Sequence, residues 1–190
     1  MRGMASGLPA LYPVDHVECQ YLTLGTGIQS YMKDDLFRGQ IPKMLILAMV
    51  LTDAYNGAYG KNPFNFQHFN LSFLELKIDG KSIPFQPFKP DFGKKHALRE
   101  YMSLYQSLNR ASTTLPFTYD QYLAGGYVLF ALNLTPDLSG LPQHPRQTAN
   151  LRLNMEFSTP LTSNVTVVLL AVFDGLVFMN VNGQVFADYK

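Results

Sequence analysis

Ile41-Pro42-Lys43-Met44-Leu45-Ile46-Leu47-Ala48-Met49-Val50-Leu51-Thr52 is a continuous apolar run, entered through a proline and closed by Asp53. No helical cap precedes it, and uninterrupted apolar character without a period of 3.6 fits a strand buried on both faces rather than an amphipathic helix. Val165-Thr166-Val167-Val168-Leu169-Leu170-Ala171-Val172-Phe173 repeats the pattern with more β-branched residues. A central position in a sandwich follows, so the rest of the chain is read for the strands that surround them.

Working outward, Asp15–Leu24 reads as a strand that turns through Gly25-Thr26-Gly27 into a second extended piece, Ile28–Met32, to make a β-hairpin. Phe69–Ile78 is a strand, and Asp79-Gly80 before Lys81-Ser82-Ile83 is a strong two-residue hairpin signal. Tyr127–Leu134 and Asn150–Phe157 add two more, while Val177–Val181 and Gln184–Ala187 flank a second hairpin signal, Asn182-Gly183. Pro84, Pro87 and Pro90 are expected to prevent regular structure up to Asp91. Ala97, Leu98, Tyr101, Met102, Leu104, Tyr105 and Leu108 then recur at helical spacing, predicting one crossover helix near residues 95–108. Thr118 and Gln121 resemble a capping box for a helical turn ending at Gly125-Gly126. About eight or nine strands with one crossover helix define an all-β fold, an antiparallel two-sheet jelly-roll sandwich. Residues 12–190 are read as a single jelly-roll domain after a flexible leader, residues 1–11, in part an expression scar.

Composition narrows the function. Fifteen Lys and Arg oppose fourteen Asp and Glu for a net charge of +1, which gives no electrostatic reason to bind nucleic acid or an anionic membrane. Only 15% of residues are charged, against about 25% in an average soluble domain. With 47% apolar and 13% aromatic residues, the expectation is an exterior covered by other subunits, since charge is depleted at interface centres. The longest apolar run, Met44–Leu51, is far short of the ~20 residues that span a bilayer. Cys19, the one cysteine, excludes an internal disulfide. Its alternation with Val17 and Tyr21 reads as an inert, buried small hydrophobe.

No motif in the chain carries recognisable catalytic chemistry. His16, His68, His96 and His144 lie far apart, without the His-x-His pair and neighbouring ligands that a metal-dependent cupin needs. No Gly-x-Ser-x-Gly elbow or Cys–His signature supports nucleophilic catalysis. Asp34-Asp35 beside Lys33 and Arg38 reads as solvated charge in a turn. Gly57-Ala58-Tyr59-Gly60-Lys61 has neither P-loop spacing nor a helix after it. The three Asn-x-Ser/Thr triplets at Asn70, Asn133 and Asn164 match the glycosylation acceptor pattern but fall in strands or at their ends, and the interleaved basic and aromatic residues of Lys89–Tyr105 are read as a packed helix in preference to a stacking surface for single-stranded nucleic acid. The expectation is no enzyme: catalytic residues none, metal none, cofactors none.

Several segments together resemble one family. Phe37-Arg38-Gly39-Gln40-Ile41-Pro42-Lys43, Asn62-Pro63-Phe64-Asn65-Phe66-Gln67-His68-Phe69-Asn70-Leu71, Gly126-Tyr127-Val128-Leu129-Phe130, Leu134-Thr135-Pro136-Asp137 and Asn150-Leu151-Arg152-Leu153 are similar to the carboxy-terminal half of the hexon-like major capsid proteins of Polinton (Maverick) elements and adintoviruses. The likeness runs from Tyr12 to Tyr189, with the Asn-Pro-Phe-Asn-Phe block as its most specific part. It implies a structural virion protein, one jelly roll of a double-jelly-roll subunit, that associates with itself, for example as a trimer, and with other capsid proteins. It implies localisation in the virion capsid after synthesis in the host cytoplasm or nucleus, without secretion. The chain departs from the family in length, having room for one sandwich only. The competing readings are a domesticated cellular jelly-roll binding module, carbohydrate-binding for example, and a cupin-like enzyme. Loops Asp53–Asn62, Ile83–Lys94 and Asn109–Thr118 are the expected places for intersubunit contacts.

Overall fold

The computed structural model describes residues 10–37, 39–108, 116–135, 148–180 and 182–188. The two apolar runs become the inner strands of one sheet. β3 (Met44–Leu51) and β8 (Val165–Met179) pair antiparallel, flanked by β1 (Ala10–Leu24) on the far edge of β8 and β6 (Leu129–Asn133) on the far edge of β3. β9 (Val185–Asp188) pairs with the end of β8 beyond β3. The second sheet has the order β2 (Ser30–Lys33), β7 (Leu151–Phe157), β4 (Leu71–Ile78), β5 (Lys81–Phe88). Apart from the β4–β5 hairpin, each of the first eight strands lies in the opposite sheet from the one before it, which is how a jelly roll winds.

The alternation of side chains explains the core. In the first sheet Leu45, Leu47, Met49, Phe130, Leu132, Val167, Leu169 and Ala171 all point inward. They meet Leu74 and Leu76 of β4 and Leu151, Leu153, Met155 and Phe157 of β7, all buried. α2 (Leu98–Ser107) packs on β6 inside the window the sequence assigns to the crossover helix. α3 (Tyr119–Ala124) starts with the expected box: the Gln121 backbone N–H donates to Thr118 Oγ1 at 3.3 Å, and the Thr118 N–H donates to Gln121 Oε1 at 2.8 Å. The Asp79-Gly80 turn also forms as expected, both residues having positive φ.

Five expectations are corrected. Asp15–Leu24 and Ile28–Met32 do not form a hairpin, because β1 pairs with β8 and β2 with β7, so the turn at Gly25–Gly27 carries the chain from one sheet to the other. Pro84 and Pro87 lie inside β5, because among the described residues β5 is an edge strand paired only with β4 and its register shifts at a bulge opposite Leu74 and Leu76, where a missing ladder donor is tolerated. β8 runs unbroken through Asp174-Gly175-Leu176, because β1 pairs with it along all of its length. β1 begins at Ala10, so Ala10 and Leu11, assigned to the leader, are strand residues; residues 1–9 lie outside the described residues. The run at Ile41–Thr52 yields a strand only from Met44, and Thr52–Tyr55 forms a single helical turn, α1, at the head of the expected loop.

Pairing β1 with β8 sets Asp15 directly opposite Asp174, and like charges so placed repel. Lys43 resolves the conflict: its Nζ bonds Asp15 and stands 3.2 Å from Asp174 Oδ1. Burial works against the Lys43 ammonium, but the bonds to the two carboxylates outweigh it and hold its pKa above the ordinary lysine value.

Candidate functional site

The residues singled out as possible chemistry are dispersed by the fold. His16 is on β1, with Nε2 3.2 Å from Glu18 Oε1 and its ring near Phe173. His68 stacks on Phe92 with centroids 4.3 Å apart, and its Nδ1 accepts the Asn70 N–H at 2.9 Å. Burial lowers its pKa, which suits an acceptor nitrogen. His96 closes a backbone bridge with Asp91, and His144 lies outside the described residues. Among the described residues no group of three or more His, Cys, Asp or Glu side chains is placed to hold a metal.

The acidic pair in the turn is split, with Asp34 bonded to Arg152 and Asp35 at positive φ. Gly57 and Gly60 also take positive φ and Lys61 binds Asp53 at 3.1 Å, so this segment is a turn. The asparagines of the acceptor triplets are used locally. Asn133 Oδ1 accepts from Thr135, Asn164 Oδ1 accepts the Thr26 N–H at 3.0 Å, and Asn70 Nδ2 donates to Thr159. Of the expected contact loops, Ile83–Phe88 is strand, and residues 109–115 lie outside the described residues.

The expectation of a buried Cys19 is overturned: the residue is exposed. Odd-numbered residues of β1 face away from the core, because their partners are the even residues of β8 and the core takes the odd ones. Cys19 therefore shares an outward face with Val17 and Tyr21, both half or more exposed. That face continues across the sheet through Val168 and Leu170 of β8, Met44 and Ile46 of β3 and Leu129 of β6, all half-buried. The opposite outer face, on the second sheet, carries Arg152, Asn154, Glu156, Glu75 and Lys77, with Met32 of β2 opposite Asn154. Apart from the Lys43–Asp15–Asp174 cluster, which lies on this same outward face of the first sheet, that face is apolar, whereas the second sheet carries the charged outer face. Next to the apolar face, α2 and β6 border a groove of about 360 Å³ lined by Phe88, Arg99, Ser103, Ala131 and Asn133.

The same helix, α2, carries a buried acid. Glu100, in the first turn of α2, is 3% exposed. Burial raises its pKa against backbone N–H bonds from Lys89 and its own amide, with Arg99 pulling the other way. A raised carboxyl holds its proton more tightly folded than unfolded, so its contribution to stability is complete below the unfolded value of 4.5 and is lost as pH rises through the folded value. Glu100→Gln is expected to remove that loss: urea midpoints of the variant and the parent should match near pH 4 and separate toward pH 7, the variant being the more stable. Equal midpoints at both pH values would show that Glu100 is not held in its acid form.

The segment carrying the family likeness has a structural explanation. Phe66 bridges Gly126 and Tyr127, its carbonyl accepting the N–H groups of Gly126 at 2.7 Å and Val128 at 3.2 Å, while the Gln67 N–H donates to Met49. The Asn62–Leu71 block and the Gly126–Phe130 block, far apart in sequence, are one packed unit.

This sandwich has counterparts among known proteins. No family model matches the chain. A curated relative, an uncharacterized protein of Caenorhabditis elegans, is 27% identical over 90% of this chain and 44% of its own length. Among solved structures, the PBCV-1 virus capsid superposes with a TM-score of 0.55 at 12% identity, covering 97% of this chain and 52% of that one. The Sputnik virophage particle gives 0.52 at 17% identity, covering 95% and 39%. The chain thus spans about half the length, or less, of the proteins it matches. Its fold is the jelly roll found in these viral capsids.

Proposed function

We propose that this chain is a structural protein, the jelly-roll subunit of a hexon-like shell from a virus or virus-derived element such as a Polinton or adintovirus, acting by self-association. The observation that carries the reading is the strand order, β1-β8-β3-β6 over β2-β7-β4-β5, in a fold shared through nearly the whole chain with capsid structures. The apolar outer face of the first sheet supports it, since interface centres exclude charge. In this reading residues 12–190 act as one domain, the counterpart of the carboxy-terminal sandwich of a longer capsid polypeptide. Its partners are further copies, as in a trimer, and other capsid proteins, and it resides in the virion. No helix among the described residues is long and apolar enough to cross a membrane.

The test is assembly. Concentrated protein is expected to form capsomer-sized particles or shells visible by negative-stain electron microscopy. Protein that remains strictly monomeric and never shows such particles would defeat the proposal.

A further inference from the structure

We infer that β1 is a self-pairing edge, across which a second copy of this chain adds its own β1 antiparallel about a twofold axis through Val17, joining two sheets into one. This contact is independent of the shell reading and needs only the geometry of one strand.

β1 is fifteen residues long and pairs with β8 along one edge only. Among the described residues no strand and no backbone hydrogen bond occupies its other edge. Natural proteins blunt such edges by shortness, lysines, prolines, bulges, inward-pointing charges or a covering element, because an open ladder recruits another chain; near its centre β1 has of these only His16 and Glu18 on its core-side face, the pair that the second copy would face. β1 contains no Lys or Arg, its register with β8 has no bulge, and its single Pro13 stands away from the centre. It also exposes Leu11, Tyr12, Val17 and Tyr21.

Two independent features choose the same centre and identify the occupant as another copy. First, antiparallel self-pairing about a twofold axis is centred on one residue, and Val17 is the midpoint of Ala10–Leu24, so only there does every residue of the strand gain a partner. Second, the charges of β1 are Asp15, Glu18 and the ionisable His16. A centre at Val17 alone brings His16 opposite Glu18 of the second copy, and does so twice. A centre at Asp15 or Glu18 would oppose identical carboxylates, and a centre at His16 would oppose two histidines. Opposite charges facing across a strand pair are favourable and like charges are not. The same register sets Val17 against Val17, Tyr21 against Pro13 and Tyr12 against Leu22, and keeps the apolar outer faces of both sheets on one side. A strand of this length runs about 50 Å. The joined edges therefore bury on the order of 1,000 Å², near the threshold for a specific contact.

Sedimentation velocity on the 190-residue chain, from micromolar to millimolar, is expected to show a monomer–dimer equilibrium. Val17→Lys, at an exposed outward position, is expected to weaken dimerisation at least tenfold while circular dichroism stays that of the parent. In a Cys19→Ser background, Val17→Cys should form a disulfide-linked dimer under mild oxidation, whereas Tyr21→Cys, which faces Pro13, should not. A monomer at every concentration with no cross-link overturns the inference, as does cross-linking through Tyr21→Cys in preference to Val17→Cys. Assemblies that Val17→Lys leaves intact also overturn it, and in that case the shell reading survives without this contact.

Discussion

Gly125→Ala is expected to destabilise the fold by about 3 kcal/mol, the sum of backbone strain of roughly 1–3 kcal/mol and a displaced hydrogen bond of about 1 kcal/mol. Gly125 ends α3 with φ 87° and ψ 169°, a region essentially closed to residues with a Cβ. A Cβ there would stand 2.5 Å from Gln67 Oε1. Gln67 is not free to swing away without loss, since its Nε2 donates to Asn65 Oδ1 at 2.8 Å. Urea denaturation of Gly125→Ala, Gln67→Ala and the double variant separates the two contributions. The double variant should keep the backbone strain and lose the steric part, giving a coupling of about 1 kcal/mol. Gly60→Ala, also at positive φ but with open space around the new Cβ, is the control and should cost only about 1 kcal/mol. Equal losses at Gly125 and Gly60 would mean that packing between the two family-like blocks contributes nothing.

Phe130→Ala is expected to cost about 3–5 kcal/mol, the range for deleting a fully buried aromatic side chain. Phe130 is completely buried on the inner face of β6, opposite Leu47 in the ladder, where the two sheets meet. A loss of that size lowers the melting temperature by on the order of 10 °C in a chain this long. Phe186→Ala is the contrast: Phe186 stacks on Phe178 at 5.0 Å on β9 but is 45% exposed, and its loss should cost about 1 kcal/mol. Differential scanning calorimetry decides, and comparable shifts for the two variants would place the principal core elsewhere.

The same two sites separate what is local from what is not. Phe130 lies in a run whose apolar character announces a strand, and inward orientation follows once its partner Leu47 is known. Gly125-Gly126 is legible as the end of a helical turn, because Thr118 and Gln121 mark the start. That Gln67 closes over it is not legible, since the contact joins positions far apart in the chain. The exposure of Cys19 escapes the sequence for a related reason. Alternation puts Cys19, Val17 and Tyr21 on one face, but which face points to water depends on how β1 pairs with β8 and on where the second sheet ends.

The interaction surface follows the same division. The shortage of charge is visible in the composition, but the apolar patch it leaves on the outer face of the first sheet, around Val17, Val168, Leu170 and Ile46, is not. Pro84 and Pro87 argue against a strand on local grounds, and an edge position removes the objection because an edge needs hydrogen bonds on one side only.

The two central strands, the hairpin at Asp79-Gly80, the helix within 95–108 and the capping box are legible in the amino-acid order alone, because each rests on interactions between residues close in the chain. Which strands neighbour one another, which face of the first sheet turns away from the second sheet, and that β1 has a free edge among the described residues emerge only from the folded chain. Those outcomes are set by pairings between residues more than a hundred positions apart, such as Val17 with Val172, and no local pattern carries the register that brings them together.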